Sequence, residues 1–355
     1  RLALATAHSK MGDASLRIGH ADAARDHYRQ SLELFERLAE GDAYNMRAQR
    51  DLAAALSKLG AVSLNLAALE QARTYYERAQ ETIEQLARAD RGNLDWQREL
   101  AVCLANLGEV AVRQGELDAA LDHYKRALAI AEELHDLNAD SVAVRRALAD
   151  ACQAVGEIRM QRGENAGEVA EHFRLMLAIR RELSEADPTN LDLKRDLALG
   201  YELLGDLHKR QGDLAQARRH YLQALAIRRE VLAADRENRR SQRELSITLL
   251  RVASVSSPDR ALPLLDEAIG IRRSLVAADP ASVEPRTALA LAHHQRAIVL
   301  SGLEGRLNEA IAAMDEAMSI FVDQAEANAA SRPMQLRLVK AAQRLLGWHQ
   351  QANDA

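Results

Sequence analysis

Between residues 97 and 113 the apolar positions Leu100, Leu104, Leu107 and Ala111 fall three or four apart, the spacing of one face of a helix. Gln114-Gly115-Glu116 interrupts the stripe. From 117 to 135 a second stripe follows, made of Ala120, Leu121, Tyr124, Ala127, Leu128, Ala131 and Leu134. The run from His135 to Asp140 ends it. The pattern predicts two helices joined by a tight turn in which Gly115 supplies a positive φ.

This block repeats. Gly12, Gly60, Gly108, Gly156 and Gly205 stand 48, 48, 48 and 49 residues apart; Ala253 continues at 48 and Ala297 follows at 44. Two more columns keep the period: Arg50, Arg98, Arg146, Arg195 and Arg243, and the turn residues Asp42, Asp90, Asn138, Asp187, Asp235 and Asp279. Three registers with one period define seven units, at about 1–45, 46–93, 94–141, 142–190, 191–238, 239–282 and 283–328. Equivalents of the turn glycine are Gly19, Gly163, Gly212 and Gly305. A lone helix pair cannot bury its apolar face, so such units stack on their neighbours. An amphipathic run over 333–352, introduced by Pro333, reads as a solitary helix capping the last unit.

Leu107-Gly108, Ala120, Tyr124 and Ala127 resemble the tetratricopeptide repeat in their pattern of small and large residues. The match recurs as Leu59-Gly60, Ala72, Tyr76 and Ala79, and as Leu204-Gly205, Ala217, Tyr221 and Ala224. In the last unit it is Ala297 with Ala310, Met314 and Ala317. The resemblance covers nearly the whole chain and implies an all-α, right-handed helical-repeat solenoid, one domain over 1–355. The departure is in length. The usual unit has 34 residues and a proline near its end, whereas here the period is 48 and Glu132 stands at the proline's place. Spacing from the glycine to the second helix's alanine is kept, so the extra residues follow Ala127. The second helix is predicted to run about two turns longer. Long units of this kind resemble those of bacterial multidomain signalling proteins.

Composition narrows the picture. Hydrophobic residues are 48% and aromatics only 3%, so the core is aliphatic and alanine-rich. With 47 basic and 52 acidic residues the net charge is −5, the wrong sign for a general nucleic-acid binder. No apolar run reaches the ~18–20 residues of a membrane span and no signal peptide is read in the sequence; two cysteines outside any disulfide framework suit a reducing compartment, and the expected one is the cytoplasm. Cys103 and Cys152 lie in apolar helical segments and read as buried small hydrophobes. The chain opens on Arg1 inside a periodic pattern, which points to a piece of a longer protein. Phosphate-loop, nucleophile-elbow, H-E-x-x-H and dinucleotide-binding motifs are absent from the sequence. No enzyme activity, cofactor or metal is expected.

One dipeptide recurs as His27-Tyr28, His123-Tyr124 and His220-Tyr221. The tyrosines lie on the buried stripe and the histidines flank it. Neighbouring helices sit about 8–10 Å apart, too far for stepped histidines to share a metal with ~2 Å bonds. They are expected at unit interfaces with polar partners. The arginine column, in the first turn of each first helix, is expected to meet the preceding turn aspartate or the preceding helix's last carbonyls. Arg180-Arg181, Arg228-Arg229 and Arg272-Arg273 read as a solvated basic face near the ends of second helices. The sixth unit lacks both glycines, and Pro263 in its second helix predicts a bend or a degenerate repeat.

The resemblance implies a concave groove lined by first helices. Carried over by position, it presents Ser9, Lys10, Asp13, Ser57 and Lys58, then Asn106, Glu109 and Arg113. Gln153, Glu157 and Gln161 follow, then Glu202, Asp206 and Arg210, and Arg251 and His294 close the series. After the motif glycine stands an acid in four units: Asp13, Glu109, Glu157 and Asp206. These acids either bind a basic or backbone-rich segment or form i,i+4 pairs with Arg17, Arg113 and Arg210, worth only ~0.2–0.5 kcal/mol each. The family's clamp for a C-terminal carboxylate is not expected, because Asp150, Gln153 and Ala154 break the set that Lys58 and Asn106 begin. The implied function is protein–protein interaction, a groove holding a peptide or protein segment, with no nucleic-acid or membrane partner. Two alternatives stand beside it: a self-associating scaffold or regulatory arm for a neighbouring domain, and a sensor of a peptide or small effector.

Overall fold

The computed structural model describes residues 1–41, 45–90, 92–327 and 332–354. The turn residue Asp42 therefore lies outside the described residues. Among those described, the chain forms fifteen α-helices and no strand. Fourteen of them make seven pairs: α1 (Leu2–Arg17) and α2 (Ala21–Gly41), α3 (Met46–Asn65) and α4 (Leu69–Ala89), α5 (Leu94–Gln114) and α6 (Leu117–Leu137), α7 (Val142–Arg162) and α8 (Ala166–Ala186), α9 (Leu191–Arg210) and α10 (Leu214–Ala234), α11 (Arg239–Ala253) and α12 (Pro258–Ala278), α13 (Val283–Ser301) and α14 (Leu307–Ala327). The last, α15 (Arg332–Asp354), packs on α14. The chain divides into two compact units, Arg1–Ile179 and Arg180–Ala355, with the division inside α8.

Each unit is a helical-repeat solenoid with two layers. In the N-terminal unit Arg50 of α3 donates to Glu99 of α5, and Arg78 of α4 to Glu36 of α2. In the C-terminal unit Arg251 of α11 donates to Asp206 of α9, and Arg229 of α10 to Glu267 of α12. These four bonds join first helix to first helix and second helix to second across neighbouring repeats. Every second helix has 21 residues, and so do α5 and α7. The added length of the repeat is shared by the second helix and the first helix that follows it.

The motif glycine answers to a ring. A Cβ on Gly12, Gly60, Gly108, Gly156 or Gly205 would lie 2.4–2.7 Å from a ring carbon of Tyr28, Tyr76, Tyr124, Phe173 or Tyr221. Where the ring gives way to Leu265 or Met314, the glycine gives way to Ala253 or Ala297. The turn glycines Gly19, Gly115, Gly163, Gly212 and Gly305 all take φ between 72° and 85°, and Ala67 takes φ 57° at the corresponding place. The sixth unit is shortened in α11, and Pro263 sits inside an uninterrupted α12.

Helix starts use a column that sequence patterning passes over. Asn45, Asn93, Ser141, Asn190 and Asn238 each accept a backbone N–H from the first turn of α3, α5, α7, α9 and α11. Asp90, Asp187 and Asp235 act one step earlier, offering backbone carbonyls to the N–H of Asn93, Asn190 and Asn238.

Two expectations about arginine need correction. The first-turn column does not share one partner behind it. Arg50 and Arg243 reach forward to Glu99 and Glu284 of the next unit, while Arg98 and Arg195 pair with Asp95 and Asp192 of their own first turn. Those two aspartates complement the helix dipole and offset the cation beside it. The paired arginines of the second helices are only half a solvated face. Arg181, Arg229 and Arg273 are exposed, whereas Arg180, Arg228 and Arg272 are 4%, 5% and 5% exposed. These buried three stand seven residues after the motif aromatic or its aliphatic substitute, the position of Phe35, Ile83, Ala131 and Phe321, all buried in their own units.

Candidate functional site

The groove residues of the first and second units form a closed cluster. Lys58 Nζ donates to both oxygens of Asp13, at 2.8 and 2.7 Å, and to Ser9 Oγ at 2.8 Å. Tyr28 OH donates to Asp13 Oδ1 at 2.7 Å, and the ammonium lies 5.6 Å from the Tyr28 ring centre. Burial works against the charge on Asp13, yet the Lys58 and Tyr28 hydrogen bonds and the Lys58 charge hold its carboxyl below the usual range. The bonded cation is Lys58 of the next unit, with Arg17 acting only through space.

The same cluster recurs in the C-terminal unit with more burial. Tyr221 OH donates to Asp206 Oδ1 at 2.6 Å, and Arg251 donates to Asp206 Oδ2 at 3.1 Å and to Glu202 Oε2 at 2.8 Å. Arg228 Nε and Thr248 Oγ1 both donate to Glu202 Oε1. Glu202 is 3% exposed. It is a core carboxylate satisfied by three donors, and the sequence expectation of a groove contact is corrected for it. Burial, then the Asp206 bond, pushes the Tyr28-equivalent phenol Tyr221 far up.

Between the clusters the lattice is left incomplete. Ala61 stands where Tyr76 would find its acid, and Glu109 accepts from Arg113 at 2.8 Å instead of meeting Tyr124. Arg113 also donates to the Leu64 carbonyl, at 3.2 Å. Neither the Tyr76 nor the Tyr124 hydroxyl forms a hydrogen bond among the described residues, although Tyr76 is only 2% exposed. Burial, with Glu109 nearby, pushes both phenols up to about 12. Asn106 is half-buried on the same helix, and on α7 Gln153 Nε2 lies 3.4 Å from Glu157 Oε2. Lys10 is exposed and forms no hydrogen bond or ion pair among the described residues.

Next to this stretch, between α3 and α5, is a cavity of about 690 Å³. Arg50, Asp51, Arg98 and Glu99 give its wall mixed charge, and Ala54 and Val102 give it apolar surface. Val102 is 55% exposed. The sequence pattern marks Arg50 and Arg98 only as a packing column and so passes over this surface; its one signal is Val102, a large apolar side chain off the buried stripe. Cys103 at the base is free and buried, 3.9 Å from Ser57 Oγ, and burial pushes its thiol up to about 11.

Two pairs of histidines meet within their own repeats. His8 and His27 ring centres are 5.8 Å apart, and His208 stacks on His220 at 5.2 Å. Burial, followed by Arg126, lowers His123, and its Nδ1 is buried without the expected polar partner. Among the described residues no three His, Cys, Asp or Glu side chains gather as a metal site. No described helix is long and apolar enough to cross a membrane.

Tetratricopeptide repeat profiles match residues 100–160 and 198–236, one stretch in each compact unit. Comparison with curated proteins gives no match. Among solved structures, BtubC from P. vanneervenii has a TM-score of 0.57 at 20% identity, covering 72% of this chain and 92% of its own. The apo form of RapI has a TM-score of 0.57 at 14% identity, covering 90% of this chain and 99% of its own. At these identities the likeness is one of fold. The profiles, the period and the glycine–ring packing agree: both compact units carry tetratricopeptide repeats, and the fold is that of a helical-repeat interaction module.

Proposed function

We propose that the chain recognises a protein segment on the first-helix surface of its N-terminal unit, around α3 and α5. The observation that carries this reading is the open cavity of about 690 Å³ between those helices. That volume is in the range of about 300–1,000 Å³ that holds a ligand group. Its apolar floor with a rim of both charges suits an apolar anchor residue flanked by polar contacts. The clusters around Asp13–Lys58 and Glu202–Asp206–Arg251 are internally satisfied and serve stability. Asn106, Glu109 and the Tyr124 hydroxyl, one to two turns along, extend the recognition surface. A selection from a displayed peptide library tests this. Enriched peptides are expected to lose binding to Val102→Glu and Ala54→Trp and to keep it with Lys10→Ala. Equal binding to all three variants would sink the reading.

The scaffold alternative has its own observation. On α15, Leu336, Val339 and Leu346 are 55%, 50% and 62% exposed along one face, opposite Leu338, Leu345 and Trp348, which pack on the core. Sedimentation of the wild type and Leu346→Glu separates the readings. Concentration-dependent association lost in the variant supports the scaffold, and a monomer at all concentrations removes it.

A further inference from the structure

Arg228 and Arg272 occupy one lattice position in consecutive units, and both are 5% exposed. Arg228 is neutralised, its Nε donating to Glu202 at 3.2 Å and its Nη1 to Glu244 at 2.6 Å. Arg272 is not. Its Nε donates to Ser246 Oγ at 3.1 Å and its Nη1 to the Ala288 carbonyl, both neutral acceptors. Among the described residues no carboxylate comes within ion-pair distance of it. A buried cation without a counter-ion is costly. Burial pulls this guanidinium down to about 10, partly offset by the charge of Glu284, and it remains protonated at neutral pH.

Beside Arg272 lies a cavity of about 70 Å³, walled also by Ser246, Arg239 and Arg243. Arg239 forms no ion pair among the described residues, and Arg243 meets Glu284 at 3.5 Å. The N-terminus of the 19-residue α13 borders the cavity through Ser282, whose side chain makes no capping bond, so its first N–H groups add positive potential. Asp279 and Glu284 oppose this from exposed positions on the rim. Among the described residues the remaining Nη hydrogens of Arg272 meet no acceptor, since a guanidinium carries five N–H donors and two are used.

We propose that this cavity, between α11, α12 and α13, binds a small tetrahedral oxyanion, phosphate or sulfate, which supplies the counter-ion that Arg272 lacks. One water needs roughly 10–15 Å³ of such space, so the cavity takes one oxyanion and little more. A phosphoryl group carried on a peptide would have to bring its chain through the walls. The site is independent of the α3–α5 surface.

Thermal unfolding and calorimetric titration at pH 7 with inorganic phosphate test this, with ionic strength held constant by sodium chloride. The Tm is expected to rise saturably with phosphate and sulfate and not with chloride. Arg272→Leu installs an aliphatic side chain where Ile83 stands in the second unit; it is expected to fold and to lose the response. The exposed double variant Arg239→Ala/Arg243→Ala is expected to weaken phosphate binding by about tenfold or more. The proposal is overturned by a wild-type Tm that ignores phosphate, by an unchanged response in Arg272→Leu, or by unchanged affinity in the double variant. A phosphoserine peptide that binds more tightly than inorganic phosphate overturns it too, and would make the cavity a phosphopeptide site.

Discussion

Seven residues after the motif ring, the N-terminal unit buries Phe35, Ile83 and Ala131, and the C-terminal unit buries Arg180, Arg228 and Arg272 before returning to Phe321. The backbone lattice at this position is the same and the chemistry is opposite. In the N-terminal unit the position contributes apolar area and tolerates a change of size from phenylalanine to alanine. In the C-terminal unit it carries a directional donor that reaches the first helix of the next unit, at the Asp196 carbonyl, at Glu244 and at the Ala288 carbonyl. A guanidinium ties two repeats together only where acceptors are placed for it. The C-terminal unit is therefore expected to be the more sensitive to single substitutions and the less tolerant of size changes.

The sharpest break of that comparison is at Arg228. Arg228→Leu resembles the N-terminal unit's choice, but it leaves Glu202 buried with one buried cationic partner fewer. Removing one partner of a buried pair costs about 3–5 kcal/mol. Ile83→Leu, a swap of similar volume at the matching position, is expected to cost under about 1.5 kcal/mol. Urea unfolding followed by circular dichroism measures both. Equal losses would mean that the arginine is a packing residue like its N-terminal counterparts.

The glycine–ring contact is common to both units, and its failure in the sixth repeat shows how it can be undone. Gly108→Ala places a Cβ 2.5 Å from a ring carbon of Tyr124. Overpacking of this kind costs about 1–3 kcal/mol. Adding Tyr124→Leu recreates the Ala253–Leu265 pairing of the sixth unit and is expected to recover more than half of the loss. Among the described residues the Tyr124 hydroxyl has no partner to lose, so the rescue is cleaner here than at Tyr221, whose hydroxyl donates to Asp206. Failure of the rescue would separate the alanine of the sixth unit from the size of the facing side chain.

The two polar clusters also differ by burial. At the N-terminal one the Lys58 and Asp13 side chains are 36% and 44% exposed, so Lys58→Met is expected to cost about 0.5–1 kcal/mol at pH 7. Asp13 is held below its ordinary value in the fold. Its contribution is therefore complete above the unfolded carboxyl's pKa, about 3.9, and is lost as pH falls through the lower folded value. The gap between wild type and Lys58→Met should close over that acid range. At the C-terminal cluster Arg251→Met withdraws a donor from the buried Glu202 and is expected to cost about 1.5–3 kcal/mol. A larger loss at Lys58 than at Arg251 would contradict the ranking by burial.

How much of this could be read from the sequence follows from what repetition reveals. The period, the two-helix unit, and the glycine and tyrosine columns were legible because each copy restates them. Arg228 departs from the solvated face that the sequence suggests because adjacent arginines on a helix point about 100° apart, and only one of each pair shares the column of Phe35, Ile83 and Ala131. Aligning the second helices on the ring would have placed Arg180, Arg228 and Arg272 in the core. The capping column Asn45, Asn93, Ser141, Asn190 and Asn238 was equally available, three residues beyond the turn aspartates. The Asp13–Lys58 contact was not, since it joins residues 45 apart and appears only when first helices lie side by side. The cavity between α3 and α5 is likewise a product of packing that no single column encodes.

The smallest expected effect isolates the one turn in which the N-terminal unit departs from its own rule. Gly19, Gly115 and Gly163 hold the turn between paired helices at φ 85°, 81° and 72°, and Ala67 holds φ 57° without the freedom of glycine. A left-handed backbone costs an L-residue roughly 1–2 kcal/mol. Glycine escapes that strain but loses more chain entropy on folding, so Ala67→Gly is expected to stabilise the protein by about 0.5–1 kcal/mol. The reciprocal change Gly115→Ala should destabilise by a similar amount, because nothing stands within 4 Å of the added Cβ and only backbone strain, offset by chain entropy, is left to act. The pair of measurements uses equivalent turns in neighbouring repeats, so packing differences largely cancel. A loss of stability in Ala67→Gly would mean that the methyl group contributes packing that outweighs the strain, and that this turn is held by its neighbours rather than by its own backbone.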